Sequence, residues 1–369
     1  MTIEHHFEKD KDVQQKMLEF LDTNDNLEEN YQNLMDSINK LDEESKLPEL
    51  LYLILRISNH HQRTPNFFTK IERILINYKE EIKQTYSNSE IFNLFKKNYR
   101  ILLFFLKENV ITPEKMQTLE DKSFLSYFFG FYKGITSTLI KFHIGGLVYD
   151  TTKGDSELFE EKRIIGENDN YVCKLIREDM IEEFIVFVNK NGFTLWSQIE
   201  FSIFETNLYL IENNPTVIEY AAFFGSTQIF KYLYLNGCEL TPSLWLYSIH
   251  GNNQEIIHIL EENKIKPKDE TYIECYNEAI KCHHNEMAEY FCKNFLDNKT
   301  IDDINHLSKS IKYSNFHFFP KNFKDNFAFH ELCHFNYYWY VNYLIETEKI
   351  DINEKIIFKS FLFLNEVSN

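Results

Sequence analysis

The sequence predicts an all-α fold, and three observations support this prediction. The chain has 369 residues, 43% of them hydrophobic and 26% charged, a composition typical of a folded protein. It contains only 10 Gly and 7 Pro, well below the average usage of about 7% and 5%, so a β-sandwich or barrel would lack turn residues. Its apolar residues recur at spacings of three and four, which is the period of a helix.

Residues 1–150 are predicted to form an N-terminal helical region, either a bundle or degenerate helical repeats. The most hydrophobic stretch, 123–149, is interrupted by Lys133, Lys141 and glycines, so we expect a buried helix there and no membrane insertion. One helical stripe is formed by Leu27, Tyr31, Leu34, Ile38 and Leu41, and further apolar segments cover 47–57, 67–86, 91–106 and 123–142.

The segment 151–170 is predicted to be a linker. It combines many charges with Thr151, Thr152, Gly154 and Gly166, and it has neither a hydrophobic period nor apolar density. The remaining residues, 171–369, are predicted to form a second helical domain.

The strongest motif of the chain is a helix pair over residues 216–238. Its sequence T-V-I-E-Y-A-A-F-F-G, followed by a segment that ends at Gly237, aligns without a gap with the ankyrin-repeat pattern. Thr216 can cap the inner helix, Ala221 allows a neighbouring helix to approach, and Gly225 allows the turn into the outer helix. Because one repeat cannot bury its own apolar face, neighbouring repeats are required.

Weaker copies of this pattern surround the best repeat. Residues 243–265 have Ser248 at the first small position, and residues 272–295 have Ala279 there. Together with the motif over 216–238, these copies predict an ankyrin-type helical-repeat solenoid over 171–369. The other predicted units are a clear repeat over 327–353, a weak one over 307–323 and a pair over 172–192, with residues 196–213 inserted before the best repeat.

Five further motifs are E-K-R-I-I-G-E-N-D at 161–169, I-F-E-T-N at 203–207, E-Y-A-A-F-F-G at 219–225, T-P-S-L-W-L-Y at 241–247 and H-G-N-N at 250–253. They resemble motifs of the large ankyrin-protein expansion of anaerobic protists, whose central segment is known as a domain of unknown function. The similarity covers most of the chain, and it implies an ankyrin-type solenoid with no known activity.

The resemblance also implies a partner-binding surface, because the variable residues between the small pair and the turn of an ankyrin repeat face the concave groove. The predicted function is therefore a non-catalytic scaffold that binds another protein and uses no small-molecule cofactor. As an alternative, Phe223 or Phe224 packs against the insertion at 196–213. The residues predicted to bind the partner are Phe223, Phe224, His250, Lys281, His334 and Phe335.

Charge and cysteine content restrict the partner and the compartment. The net charge is −18, with 39 basic and 57 acidic residues, which argues against nucleic acid and anionic lipid and favours a basic or mixed-charge partner protein. The six cysteines include no C-x-x-C pair, and the charged residues 1–12 do not form a secretory signal. We therefore expect reduced thiols in a cytoplasmic protein.

Two alternative functions remain open. His330, Glu331 and His334 match the H-E-x-x-H pattern of zinc hydrolases, although the repeat register accounts for the first histidine and no third ligand follows at the usual spacing. A structural role is the other alternative, in which the chain is one end of a longer assembly and its exposed terminal repeat docks to a further segment; association of the chain should then be lost when residues 356–369 are deleted.

The remaining histidines are predicted to have no role in chemistry. The pairs His5-His6 and His60-His61 lie beside connections, so we expect them to be solvated. His283 is predicted to occupy a repeat turn with a solvated His284 beside it. These two cannot easily share a metal ion, because adjacent side chains on a helix diverge by about 100°.

Overall fold

The computed structural model describes residues 3–112, 127–128, 141–144, 147–150, 156–296, 304–319 and 326–348. The described chain is helical apart from one antiparallel hairpin, in which β1 (Lys141–Ile144) pairs with β2 (Leu147–Asp150). The predicted all-α class is therefore confirmed. Most of the buried helix predicted at 123–149 lies outside the described residues, and at its C-terminal end residues 141–144 and 147–149 belong to β1 and β2, so the chain is not helical there. No described helix is both long enough and apolar enough to cross a membrane.

The chain forms two compact units, Met1–Phe67 with Pro267–Asn369 (unit 1) and Phe68–Lys266 (unit 2). The first helices of unit 1 are α1 (Ile3–Asp22), α2 (Leu27–Ile38) and α3 (Glu43–His60). Unit 2 begins at the second residue of α4 (Phe67–Thr85). Its other helices are α5 (Asn88–Phe95), α6 (Tyr99–Lys107), α7 (Ser156–Ile165), α8 (Tyr171–Arg177), α9 (Ile181–Asn191), α10 (Leu208–Asn213), α11 (Val217–Phe223), α12 (Thr227–Leu235), α13 (Leu244–His250) and α14 (Gln254–Glu262). Unit 1 continues with α15 (Ile273–Lys281), α16 (Asn285–Phe295), α17 (Ile304–Lys312), the 3₁₀ turn Phe316–Phe318, α18 (Asn326–His334) and α19 (Tyr338–Glu348).

These units do not follow the predicted division at 151–170. In unit 1 the N-terminal helices pack with the C-terminal ones, where the Phe316 N–H donates to Gln14 Oε1 at 2.9 Å and the Tyr340 hydroxyl donates to Asp10 at 2.6 Å. The predicted linker contains α7. Its charged residues do not keep it extended, because the Arg163 guanidinium is buried and donates to the Tyr127 carbonyl at 3.1 Å.

One turn recurs at the helix pairs predicted from the sequence. The first helix ends in a residue with positive φ, and the N–H of the next residue donates to the carbonyl five residues earlier, as in a Schellman cap. Ala221, Ser248 and Ala279, the predicted small residues, each supply that carbonyl and are fully buried. The turns are Leu175–Met180, Ala221–Ser226, Ser248–Asn253, Ala279–His284, Ser310–Asn315 and Leu332–Tyr337.

Within unit 2, neighbouring pairs are joined at these turns. The inner helices α11 and α13 pack directly, and a Cβ atom on Gly251 would lie only 2.3 Å from the Ala222 carbonyl oxygen. The Asn253 amide donates to the Gly225 carbonyl at 2.9 Å, and the Asp179 carboxylate accepts from the Ile229 N–H at 2.9 Å. In both cases a polar side chain of one turn binds the backbone of a neighbouring helix pair.

Candidate functional site

Two of the predicted partner-binding residues, Phe223 and His250, are buried and do not form an open groove. Tyr209 of α10 covers them, with its ring centroid 5.9 Å from that of Phe223 and 4.1 Å from that of His250. The helix α10 lies in the insertion at 196–213. Phe223 therefore packs against this insertion, as the alternative interpretation of the sequence expected. The ankyrin-repeat pattern predicts which residues face a concave groove, but it does not predict that an inserted helix covers them.

The other predicted residues are more accessible. Phe224 is half-buried, with the Arg177 guanidinium 6.0 Å from its ring centroid, and half-buried Lys281 forms an ion pair with Glu278 at 2.8 Å. His334 is exposed and Phe335 is half-buried. Phe223, Phe224 and His250 belong to unit 2, whereas Lys281, His334 and Phe335 belong to unit 1.

The H-E-x-x-H motif lies on α18 with its glutamate turned toward the protein. Glu331 is buried, accepts a hydrogen bond from the Ser308 hydroxyl and lies 3.3 Å from His330 Nδ1. The rings of His330 and His334 are nearly parallel, with centroids 6.3 Å apart. In the described part of the chain, no cluster of three possible metal donors includes either histidine, whereas a typical zinc-hydrolase site has three protein ligands.

A cleft of about 190 Å³ lies beside Phe335, between α3 and the turn that joins α18 to α19. Three of its lining residues, Glu49, Tyr52 and Arg56, follow one another at helical spacing along α3. Of the residues that line this cleft, only Phe335 was predicted from the sequence, although the aromatic run at 337–340 is a usable signal. The lining residues are Ser45, Pro48, Glu49, Tyr52, Arg56, Phe316, Phe335, Asn336, Tyr337, Tyr338, Trp339 and Asn342.

Arg56 forms a fixed wall of this cleft. Its guanidinium donates to the Phe335 carbonyl at 3.2 Å and to the Tyr337 hydroxyl at 2.9 Å. It also lies 5.7 Å from the ring centroid of Tyr52, within the range of a cation–π interaction. These hydrogen bonds of the guanidinium group lie within unit 1 and connect α3 to the turn before α19.

Aromatic side chains form the rim of the cleft. Tyr338 is 58% exposed, and its hydroxyl donates to Asn336 Oδ1 at 3.3 Å. The Asn336 amide in turn donates to the Tyr52 hydroxyl at 3.3 Å, and Trp339 is half-buried. This rim offers large apolar faces to solvent with polar atoms at their edges.

A buried polar cluster lies next to the cleft, at Glu49. His6 is fully buried, so the prediction that it is solvated is wrong; α1 turns it inward, and the Trp339 ring stacks on it with a centroid separation of 3.5 Å. His6 Nε2 lies 3.0 Å from Glu49 Oε1 and 3.7 Å from Asp10 Oδ2. His6 Nδ1 lies 3.1 Å from Asp42 Oδ2.

Burial determines the protonation of this cluster. It raises the pKa of Glu49 to about 7, and burial together with the Glu49 carboxylate raises the pKa of Asp10 well above its ordinary value. Burial also lowers the pKa of His6. His6 is therefore a neutral imidazole near pH 7, which donates from Nδ1 to Asp42 and presents the Nε2 lone pair to Glu49 and Asp10.

Three further histidines are buried together in unit 1. The predicted solvation of His61 and His284 is wrong, since each is only 4% exposed. His61 ring nitrogens lie 2.7 Å from the Cys282 carbonyl and 2.7 Å from Asp22 Oδ1. His283 occupies the predicted turn with φ of 61°. Burial lowers its pKa to about 3, and neither ring nitrogen finds a hydrogen-bond partner among the described residues.

The cysteines are free thiols, and all but Cys292 are buried. Burial raises the pKa of Cys173 to about 12 and that of Cys333 to about 11. These two side chains therefore remain protonated at neutral pH and behave as small apolar residues.

Comparison with known proteins identifies one segment of the chain. Residues 235–321 match the family model of DUF3447, a domain of unknown function that is often found with ankyrin repeats. The match begins at the end of α12 and extends through α17. No curated protein and no solved structure is significantly similar to the chain.

Proposed function

We propose that this chain is a non-catalytic protein-binding module built on an ankyrin-type helical-repeat solenoid. The cleft between α3 and the turn before α19 receives an apolar side chain of the partner protein. The observation that carries the proposal is this concave, aromatic-rimmed surface beside Phe335, one of the residues predicted from the repeat register to contact a partner.

The repeated turn supports the solenoid. Ala221, Ser248 and Ala279 have the same hydrogen bond and the same complete burial, as expected for equivalent positions of a repeat. Their spacing is uneven, and α17 is followed only by a 3₁₀ turn, so the repeats are degenerate. The DUF3447 match over 235–321 supports the same architecture, since this domain often accompanies ankyrin repeats.

The size and lining of the cleft support a protein ligand. About 190 Å³ is enough for one or two side chains, and aromatic residues such as Tyr338 and Trp339 are enriched at the centres of protein interfaces. Because Arg56 and Asn336 are held by hydrogen bonds, little ordering of the cleft is needed on binding.

The charge of the chain supports a basic partner. With a net charge of −18, the surface attracts Lys and Arg residues, which would flank the apolar side chain in the cleft and accelerate association. We assign the chain to the cytoplasm, an assignment supported by six free cysteines.

Two variants of the cleft test this function. Tyr338→Ala removes an exposed rim residue, and Asn342→Trp fills the cleft from a second exposed position. Proteins retained by the immobilised full-length chain are identified, and the affinity of each purified partner is then measured. For at least one partner we expect both variants to weaken binding at least tenfold, the loss of about 1.4 kcal/mol that truncation of an interface aromatic commonly causes.

Tyr171→Ala is the matched control, because Tyr171 is 55% exposed but lies on α8 in unit 2. It should leave the affinity unchanged, and circular dichroism should report a folded chain for all three variants. If every retained protein binds Tyr338→Ala and Asn342→Trp as tightly as the unmodified chain, the cleft is not the binding surface.

A further inference from the structure

The cluster of His6, Asp10 and Glu49 has the donors and the spacing of a metal site. In a tetrahedral zinc site, donors about 2.0 to 2.2 Å from the ion lie about 3.3 Å from one another. His6 Nε2 is 3.0 Å from Glu49 Oε1 and 3.7 Å from Asp10 Oδ2, on either side of that value. The three donor atoms all lie within 4.8 Å of one another.

The surroundings of His6 orient it as a ligand. Asp42 accepts from Nδ1 at 3.1 Å, which leaves Nε2 directed at the two carboxylates. Lys9 donates to the other oxygen of Asp42 at 3.1 Å, and Trp339 fixes the plane of the imidazole by stacking. A histidine held by a carboxylate in this manner is the usual outer-shell arrangement of protein metal sites.

Glu49 supplies a second, independent indication of a ligand. Its Oε2 atom is buried and finds no hydrogen-bond partner among the described residues, although a buried carboxylate oxygen without a partner is costly. Glu49 also lines the cleft, so an ion can enter from that side and a water molecule can complete its coordination.

We propose that His6 Nε2, Asp10 and Glu49 bind a divalent transition metal ion, with zinc as the reference ion. One imidazole and two carboxylates suit zinc, manganese or iron(II) better than calcium or magnesium, which prefer all-oxygen sites. The ion joins α1 to α3 beside the cleft. The proposal does not depend on partner binding.

Metal titration of the full-length chain tests the site. The protein is first freed of metal with a chelator, then titrated with Zn²⁺ by calorimetry and with Co²⁺ by absorption spectroscopy. We expect one equivalent to bind with a Kd of about 1 μM or below, and d–d bands of cobalt bound by nitrogen and oxygen. Glu49→Gln and Asp10→Asn should each weaken binding at least tenfold, and Asp42→Asn should weaken it by about 10- to 100-fold.

His334→Ala is the control, since His334 is exposed and belongs to the H-E-x-x-H motif; it should bind zinc with unchanged affinity. Glu49 is only half-buried, so Glu49→Gln is expected to fold, and circular dichroism checks this. The site is refuted if the unmodified chain binds no metal, or if Glu49→Gln and Asp10→Asn keep full affinity. It is also refuted if His334→Ala alone abolishes binding, or if cobalt gives a thiolate charge-transfer band.

Discussion

Single residues at the turns determine how closely neighbouring helix pairs approach. Gly251 has an ordinary helical backbone, so its φ and ψ angles do not require glycine. Glycine is needed there because a Cβ atom would lie 2.3 Å from the Ala222 carbonyl oxygen. His283, in contrast, occupies a left-handed position where glycine or asparagine is preferred, and its imidazole is buried. Gly251 therefore permits the close contact between the two helices, whereas His283 destabilises the folded chain.

Gly251→Ala is expected to destabilise the chain by about 2 to 3 kcal/mol. The added methyl group would force α11 and α13 apart, which is the overpacking effect seen in dense cores. Chemical denaturation measures the change in the free energy of unfolding.

Gly192→Ala is the matched control for this substitution. Gly192 has φ of 59° and no atom within 4 Å of a Cβ position, so only a backbone penalty of about 1 kcal/mol applies. An equal loss in the two variants would contradict the close contact at Gly251.

His283 is expected to make the chain acid-sensitive. Its pKa is about 3 in the folded state and about 6.5 when unfolded, with His61 and Arg56 among the groups that lower it. Below pH 6.5 the unfolded chain therefore binds a proton that the folded chain does not, and stability falls as pH decreases toward 3. Between pH 7 and 5 this contribution is about 2 kcal/mol.

The variant His283→Asn should lose this contribution. From pH 7 to pH 5 the unmodified chain should lose about 2 kcal/mol more of its free energy of unfolding than the variant does. His258→Asn, at a residue whose side chain is 66% exposed, is the control and should follow the unmodified chain. If the free energies of unfolding of His283→Asn and the unmodified chain differ by the same amount at every pH, the buried imidazole does not cause the acid sensitivity.

At the scale of helices, the insertion before the best repeat changes what that repeat can do. The short helix α10 begins at an Asn207 cap and brings Tyr209 over Phe223 and His250. Two positions that would face a partner in a regular repeat are thereby converted into core. For this reason we place the proposed binding surface at the cleft beside α3.

Phe223→Ala is expected to destabilise unit 2 by about 3 to 5 kcal/mol, because it removes a buried ring. Phe224→Ala should cost less, about 1 to 2 kcal/mol, since this ring is half-buried. Chemical denaturation compares the two variants. A smaller loss for Phe223 than for Phe224 would contradict the burial of Phe223 under α10.

The helix pairs were predictable from the sequence because their determinants are local. Ala221, Gly225 and the Thr216 capping box act within a few residues of one another, and the structure has each of them in the expected role. The position of His6 was not predictable, because it depends on Asp42 and Glu49 of another helix and on Trp339 from the far end of the chain. No local pattern records such a contact.

At the scale of the whole molecule, the two ends of the described chain contribute to one compact unit. Arg56 near the N-terminus binds the turn that contains Phe335 and Tyr337, and this contact forms one wall of the cleft. The proposed binding surface therefore exists only when both parts of unit 1 have folded together. We propose that the acidic charge of the chain favours basic partners at this surface by long-range attraction.

Photo-crosslinking from the rim of the cleft is the most direct test of the proposed binding function. A benzophenone amino acid replaces Tyr338 in one full-length sample and the similarly exposed Tyr171 in another. We predict a covalent adduct with the partner protein from position 338, at an apolar residue flanked by Lys or Arg, and none from position 171. Adducts with that partner from position 171 alone would contradict the proposal.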